Sequence, residues 1–123
     1  ERELAGGMQV FLRGGVAPAD RNTLSWALDA GLSWTGLWPR RPADVAFIGI
    51  AHVGFSSHHA GNAVATDPTS PSPDFEQVVE AGYTIALSDR WVLQPDVQYI
   101  RHPGGSSAQR DVLAFLLRAN VSY

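Results

Sequence analysis

Seven polar side chains, Arg13, Asp29, Glu80, Gln94, Asp96, Gln98 and Arg118, stand among apolar neighbours in segments that alternate apolar and polar residues. Their chemistry is reversible hydrogen bonding. Carboxylates and amides accept or share hydroxyl hydrogens, and arginine presents a fixed fork of donors. Mixed signs on one wall set a transverse field that favours polar neutral solutes over ions of either sign. Gln94, Asp96 and Gln98 sit at i, i+2 and i+4, which lines them up on one face of a strand. Gln9, Ser25, Ser33, Thr35, Thr84 and Asn120 add hydroxyls and amides on the same parity. Competing readings exist. Arg118 can pair with Asp96 across neighbouring strands, fixing register rather than meeting a solute. Glu80 can do the same with Arg13 or with an arginine elsewhere, and Asp29 alone on a wet wall is ordinarily a solvated residue.

Covalent and metal chemistry find no support. Serines and histidines lack a nucleophile-elbow context, and His52, His58, His59 and His102 do not form a metal-ligand spacing. Gly14-Gly15 and Gly104-Gly105 serve turns or close packing, since no helix follows to make a phosphate loop. There are no cysteines, which leaves disulfides and thiolate metal sites out. A net charge of −3 without basic clusters argues against nucleic acid as a partner. The expectation is therefore a protein that is not an enzyme and carries no cofactor and no metal.

The 123 residues make one domain at most, or a piece of a larger one. The chain opens on Glu1 with no visible signal peptide, so it reads as processed or as a fragment. Apolar content of 45% and mean hydropathy of −0.07 suit an ordinary soluble protein and equally a membrane barrel, half of whose strand residues face water. The longest apolar run, residues 45–54, carries His52 and is far short of the roughly 20 residues a transmembrane helix needs.

The elements that must hold the polar set are strands. The last segment, DVLAFLLRANVSY, places Leu113, Phe115, Leu117, Ala119, Val121 and Tyr123 on one parity and Arg118 and Asn120 on the other. A final strand of about ten residues ending on an aromatic is how outer-membrane barrels end. Twelve glycines and eight prolines among short alternating runs point to an all-β chain. An antiparallel up-and-down meander of about six strands is expected, at 7–16, 24–38, 45–55, 75–87, 91–101 and 112–123. With the carboxyl terminus on the periplasmic side, the joins at 39–44 and 88–90 are short periplasmic turns. Those at 56–74 and 102–111 are longer extracellular loops, the asymmetry of barrel proteins.

Aromatic residues share a parity within each strand: Trp26, Trp34 and Trp38; Phe47 and Phe55; Phe75 and Tyr83; Trp91 and Tyr99; Phe115 and Tyr123. Taken as the lipid-facing set, Trp38, Trp91 and Tyr123 mark one rim and Trp26, Phe55, Phe75 and Tyr99 the other. Two places resist: Ile48 and Ile50 then share the inward parity with His52, and Phe11 shares its parity with Arg13. A soluble sheet with one wet face also alternates, but gives no reason for aromatics to gather at strand ends.

Several stretches resemble the OprB-type carbohydrate-selective porins. Residues 28–56 contain a Gly-Leu-x-Pro-x-Arg-Pro-x-Asp turn, residues 91–105 contain QPDVQY followed by a Pro-Gly-Gly loop, and FLRGGVAP and the closing LLRANVSY resemble further strands of the family. The chain ends in Tyr where such families more often end in Phe. The resemblance implies a passive channel for mono- or oligosaccharides, built as a roughly 16-stranded outer-membrane β-barrel, the size that leaves an aqueous passage. Residues 1–123 would then be the carboxyl-terminal portion of a single, incomplete barrel domain in the bacterial outer membrane. Its partners would be sugars, outer-membrane lipid, and the barrel-assembly machinery through the strand ending at Tyr123. The seven polar residues would line the lumen as solute contacts.

Overall fold

Apolar and polar side chains in strict alternation leave the extended strand as the regular conformation that separates them. The computed structural model describes residues 2–4, 6–18, 24–55, 74–106 and 108–123. Its strands are β1 (Arg2–Leu4), β2 (Met8–Val16), β3 (Leu24–Thr35), β4 (Val45–Phe55), β5 (Phe75–Ala86), β6 (Trp91–Arg101) and β7 (Val112–Val121). A single 3-10 turn, Pro103–Gly105, follows β6. The seven strands form one sheet in the order of the chain, each antiparallel to the next. The six expected strands are all present, preceded by the short β1. Most of the expected loop at 56–74 and part of the join at 17–23 lie outside the described residues.

Strand ends differ from expectation where a backbone device intervenes. Gly36, at φ 69°, turns the chain out of β3 after Thr35, so Trp38 belongs to the turn rather than the strand. Residues 7, 87, 122 and 123 likewise fall outside the strands. Ser88 closes the β5–β6 turn, its hydroxyl accepting from the backbone N–H of Arg90 and of Trp91 at 3.2 Å each.

Residues paired across an antiparallel ladder point to the same face. Trp34 pairs with Ala46, Leu32 with Ile48, Ala30 with Ile50 and Leu28 with His52. Ile48, Ile50 and His52 therefore share the apolar face with the β3 tryptophans, and Phe47 and Phe55 lie on the polar one. This corrects the parity expected for β4. Side-chain direction repeats every two residues, so the turn that sets register decides which half of a strand goes to which face. The remaining strands keep the expected parity, with Phe75 and Tyr83, Trp91 and Tyr99, and Phe115 on the apolar face. No hydrophobic side chain among the described residues is buried, and Leu12, Phe115 and Leu117 are exposed by 67%, 78% and 68%.

Three aromatic rings lie over glycines directly opposite: Phe11 over Gly31, Trp26 over Gly54 and Phe47 over Gly82. A ring laid across a glycine fills the gap its missing side chain leaves and pins the register of that pair. A Cβ at Gly82 would stand 2.5 Å from Phe47 Cε1 and 2.8 Å from Asp96 Cβ. Gly82→Ala is thus expected to cost about 1–3 kcal/mol in denaturant unfolding, the usual penalty of overpacking. Gly15→Ala, whose Cβ would meet nothing within 4 Å, should leave stability close to wild type.

The β3–β4 turn is tied to β5 through one carboxylate. Asp44, 2% exposed, accepts from Arg41 Nε at 2.7 Å and Nη2 at 3.1 Å, from the Tyr83 hydroxyl at 3.0 Å and from the Ala86 N–H at 2.9 Å. The Arg41 hydrogen bond is the main reason the Asp44 carboxyl titrates below its ordinary range. Its contribution is therefore fully present above the usual aspartate pKa of about 3.9 and is lost as pH falls through the lowered value. Asp44→Ala should lower the thermal midpoint near neutral pH, while Arg40→Ala in the same turn should not. The gap between Asp44→Ala and wild type should close in strong acid, as read by circular dichroism.

Candidate functional site

The polar face carries all seven of the expected site residues, and the ladder decides which meet. Arg13 lies directly opposite Asp29, and its Nε donates to Asp29 Oδ1 at 3.0 Å. One partner offered for Glu80 from sequence was Arg13, and that pairing is corrected, because register places Glu80 three strands away, opposite Gln98, and Asp29 opposite Arg13. Asp29, read as solvated, is ion-paired and remains partly exposed. Gln98 Nε2 donates to Glu80 Oε2 at 3.0 Å. The Thr84 hydroxyl reaches Gln94 Oε1 at 3.5 Å.

Asp96 and Arg118 come together, as one sequence reading proposed, at 3.7 Å between Nη2 and Oδ2. Gln94 stands opposite Arg118 and Leu116 opposite Asp96, so the ion pair runs diagonally between β6 and β7. The Asp96 side chain is fully covered while that of Arg118 is half exposed. Neither Asp96 oxygen has a hydrogen-bond partner. A Cβ placed on the opposite residue, Gly82, would meet both the Asp96 Cβ and the Phe47 ring. Gln94, Asp96 and Gln98 do share a face, yet in this arrangement the carboxylate between them acts on its surroundings through Arg118. Pro95 has no N–H to donate, and the bridges toward β5 are interrupted at Tyr83–Thr84 without a shift of register.

Other carboxylates hold loops. Glu76 Oε2 accepts from the Gly104 N–H at 2.6 Å, docking the Pro-Gly-Gly turn on β5. Asp111 accepts from the Tyr99 hydroxyl at 2.5 Å and from the His102 N–H at 3.3 Å. These contacts, the Tyr99 hydrogen bond foremost, keep the Asp111 carboxyl below its ordinary range. At the same end of the sheet, on the apolar side, Trp26, His52 and Phe75 stack in succession at 4.9 and 5.0 Å between ring centroids, and His102 meets Phe75 at 4.5 Å with its ring tilted by 45°. Arg101 stands 5.6 Å from the Phe75 centroid. His52 and His102 are thus parts of an aromatic stack; His58 and His59 lie outside the described residues. Among the described residues no group of three or more His, Cys, Asp or Glu is placed to hold a metal.

Sequence reasoning missed Phe47 and Phe55 as features of the polar face and Asp44 as a structural anchor. Phe11 did signal itself by sharing parity with Arg13. Phe47 gave no such sign, because its own strand is apolar on both parities.

The polar face offers hydrogen bonds, two ion pairs and the rings of Phe11, Phe47 and Phe55, a surface for weak polar contacts rather than covalent chemistry. The fold is similar to that in the high-pH structure of Pseudomonas putida OprB, with a TM-score of 0.86 over 95% of this chain and 22% sequence identity. The chain spans 30% of the length of that protein. No curated relative matches it. The profile described as carbohydrate-selective porin, OprB family, a family of channels rather than enzymes, matches residues 2–123. On that match across almost its whole length, the chain belongs to the carbohydrate-selective porin, OprB family.

Proposed function

We propose that these strands form the carboxyl-terminal part of a closed outer-membrane barrel whose polar face lines a water-filled channel for the facilitated diffusion of carbohydrates. The carrying observation is the exposed apolar face of a sheet with no buried hydrophobic side chain among the described residues. In water each large apolar side chain forgoes about 1.5–3 kcal/mol of burial, which hydrocarbon restores. A seven-stranded sheet does not enclose a porin lumen, since diameter grows with strand number. The outer edges of β1 and β7 therefore pair with strands contributed by the rest of the barrel domain. Aromatics near the ends of β3, β5 and β6, such as Trp26, Phe75 and Tyr99 on one side and Trp34, Tyr83 and Trp91 on the other, suit the two interfaces of a bilayer. The alternating β7, with Tyr123 just beyond it, is the segment offered to the barrel-assembly machinery.

In this reading Arg13, Asp29, Glu80, Gln94, Gln98 and Arg118 supply weak, replaceable hydrogen bonds along the wall, so that solute enters and also leaves. Asp96 orients Arg118 from behind. Proteoliposomes carrying the complete barrel should swell faster with neutral hexoses than with similarly sized charged solutes. Equal rates would identify a non-specific porin, and absence of a heat-modifiable band in the outer membrane would sink the barrel itself. Asp96→Ala should still insert but lower sugar flux, and the double variant Asp96→Ala/Arg118→Gln should lose little more than either alone. Unchanged flux in Asp96→Ala would remove the pair from the conducting path.

A further inference from the structure

The apolar face carries one polar rung. Across β3 to β6, Leu28 stands opposite His52, His52 opposite Gln77, and Gln77 opposite Arg101. Among the described residues of β2–β7 on that face, Arg101 is the one guanidinium and His52 the one imidazole, and no carboxylate shares the face with them. We propose that this rung, with the apolar hollow beside it, holds the phosphate of an anionic lipid headgroup in the outward-facing leaflet. The inference rests on the barrel reading above and adds a lipid site to the outside of the wall.

A charge on a lipid-facing surface is tolerated at the interface and costly toward the midplane. Arg101 is the last residue of β6, at the strand end where headgroups would lie. Its Cζ stands over the Phe75 ring, 5.6 Å from the centroid, which positions the guanidinium without using its N–H donors. Asp111 is near enough to sense this charge, but it is engaged by the Tyr99 hydroxyl and the His102 N–H. A planar fork with free donors matches the oxygens of a phosphate.

His52 is clamped between the rings of Trp26 and Phe75, at interplanar angles of 20° and 12°, so its edge nitrogens are the groups left to bond. Gln77 Nε2 lies 3.4 Å from Nδ1. With the amide donating there, Nε2 carries the ring proton and becomes a second donor. A hollow of about 280 Å³ adjoins the rung, lined by Trp26, Leu28, Ala30 and Ile50 together with His52 and Gln77. Donors beside an apolar hollow suit an amphiphile, with phosphate on the rung and the first methylenes of an acyl chain in the hollow. A free phosphate would leave the hollow unfilled, and a zwitterionic lipid would leave the guanidinium poorly matched.

The test is a fluorescence titration of the complete barrel in neutral detergent with dye-labelled lipid A. Competition follows with unlabelled lipid A, phosphatidylcholine or inorganic phosphate. Labelled lipid A should bind saturably, and only unlabelled lipid A should displace it. Arg101→Gln should raise the half-saturating concentration about three- to tenfold, the share of one interfacial cation, and Arg101→Lys should raise it less. Arg90→Gln, in the turn at the opposite end of the sheet, should change nothing. Heat-modifiability of each variant separates loss of the site from loss of the fold. Equal competition by phosphatidylcholine, or wild-type affinity in folded Arg101→Gln, overturns the site while leaving the barrel standing. Displacement by inorganic phosphate overturns the lipid as its occupant. A wild-type chain with no heat-modifiable form overturns the barrel reading beneath it.

Discussion

The register of β4 against β3 is the constraint on which the two faces depend. Because the side-chain period of a strand is two, a shift of one residue would send Ile48, Ile50 and His52 to the wet side and Phe47 to the other. The nine-residue connection between Thr35 and Val45 decides this, and it is held shut by the Gly36 N–H to the Asp44 carbonyl and by Arg41 on the Asp44 carboxylate. Tyr83 and Ala86 extend the same knot to β5, so one buried aspartate fixes the alignment of three strands. Every pairing on the polar face follows from that alignment.

Glycine works with the register rather than against it. Strand glycines ordinarily weaken a sheet by offering no side chain to pack. Here Gly31, Gly54 and Gly82 each receive a ring from the opposite residue, which converts a weak position into a specified one. The consequence on the polar face is a surface with relief. Phe11 and Phe47 line a hollow that Gly49 also borders, and the Asp96 side chain is fully covered while that of Arg118 reaches out. A wall built only of alternating polar residues would be flat and would treat all small solutes alike.

Much of this was legible in the sequence because period-two alternation is a property of each strand by itself. The ranges of β4 and β6, the parity of β3, β5, β6 and β7, and the membership of the polar set can be read one segment at a time. What could not be read is the relation between segments. The faces of β4 are both apolar, so only the preceding turn could orient it. Asp29 and Glu80 each needed a neighbour named by register, and the full covering of Asp96 depends on the strands that lie beside it. The Arg41–Asp44 knot lay in plain view inside a proline-bracketed turn, but its reach to Tyr83 and Ala86 depends on β5 lying alongside.

The stack of Trp26, His52, Phe75 and His102 runs across the strands, at right angles to the direction in which they could slide. Backbone ladders resist pulling apart, yet a strand can in principle creep along its neighbour by two residues and recover every backbone bond with the same face outward. The stack removes that freedom, because such a step by β4 or β5 would unseat the rings on both sides at once. It works as a batten nailed across planks, and it sits at the end of the sheet where β6 hands over to the Pro103–Gly105 turn. This end of the sheet is therefore stiff against shear, even though no hydrophobic side chain among the described residues is buried behind it.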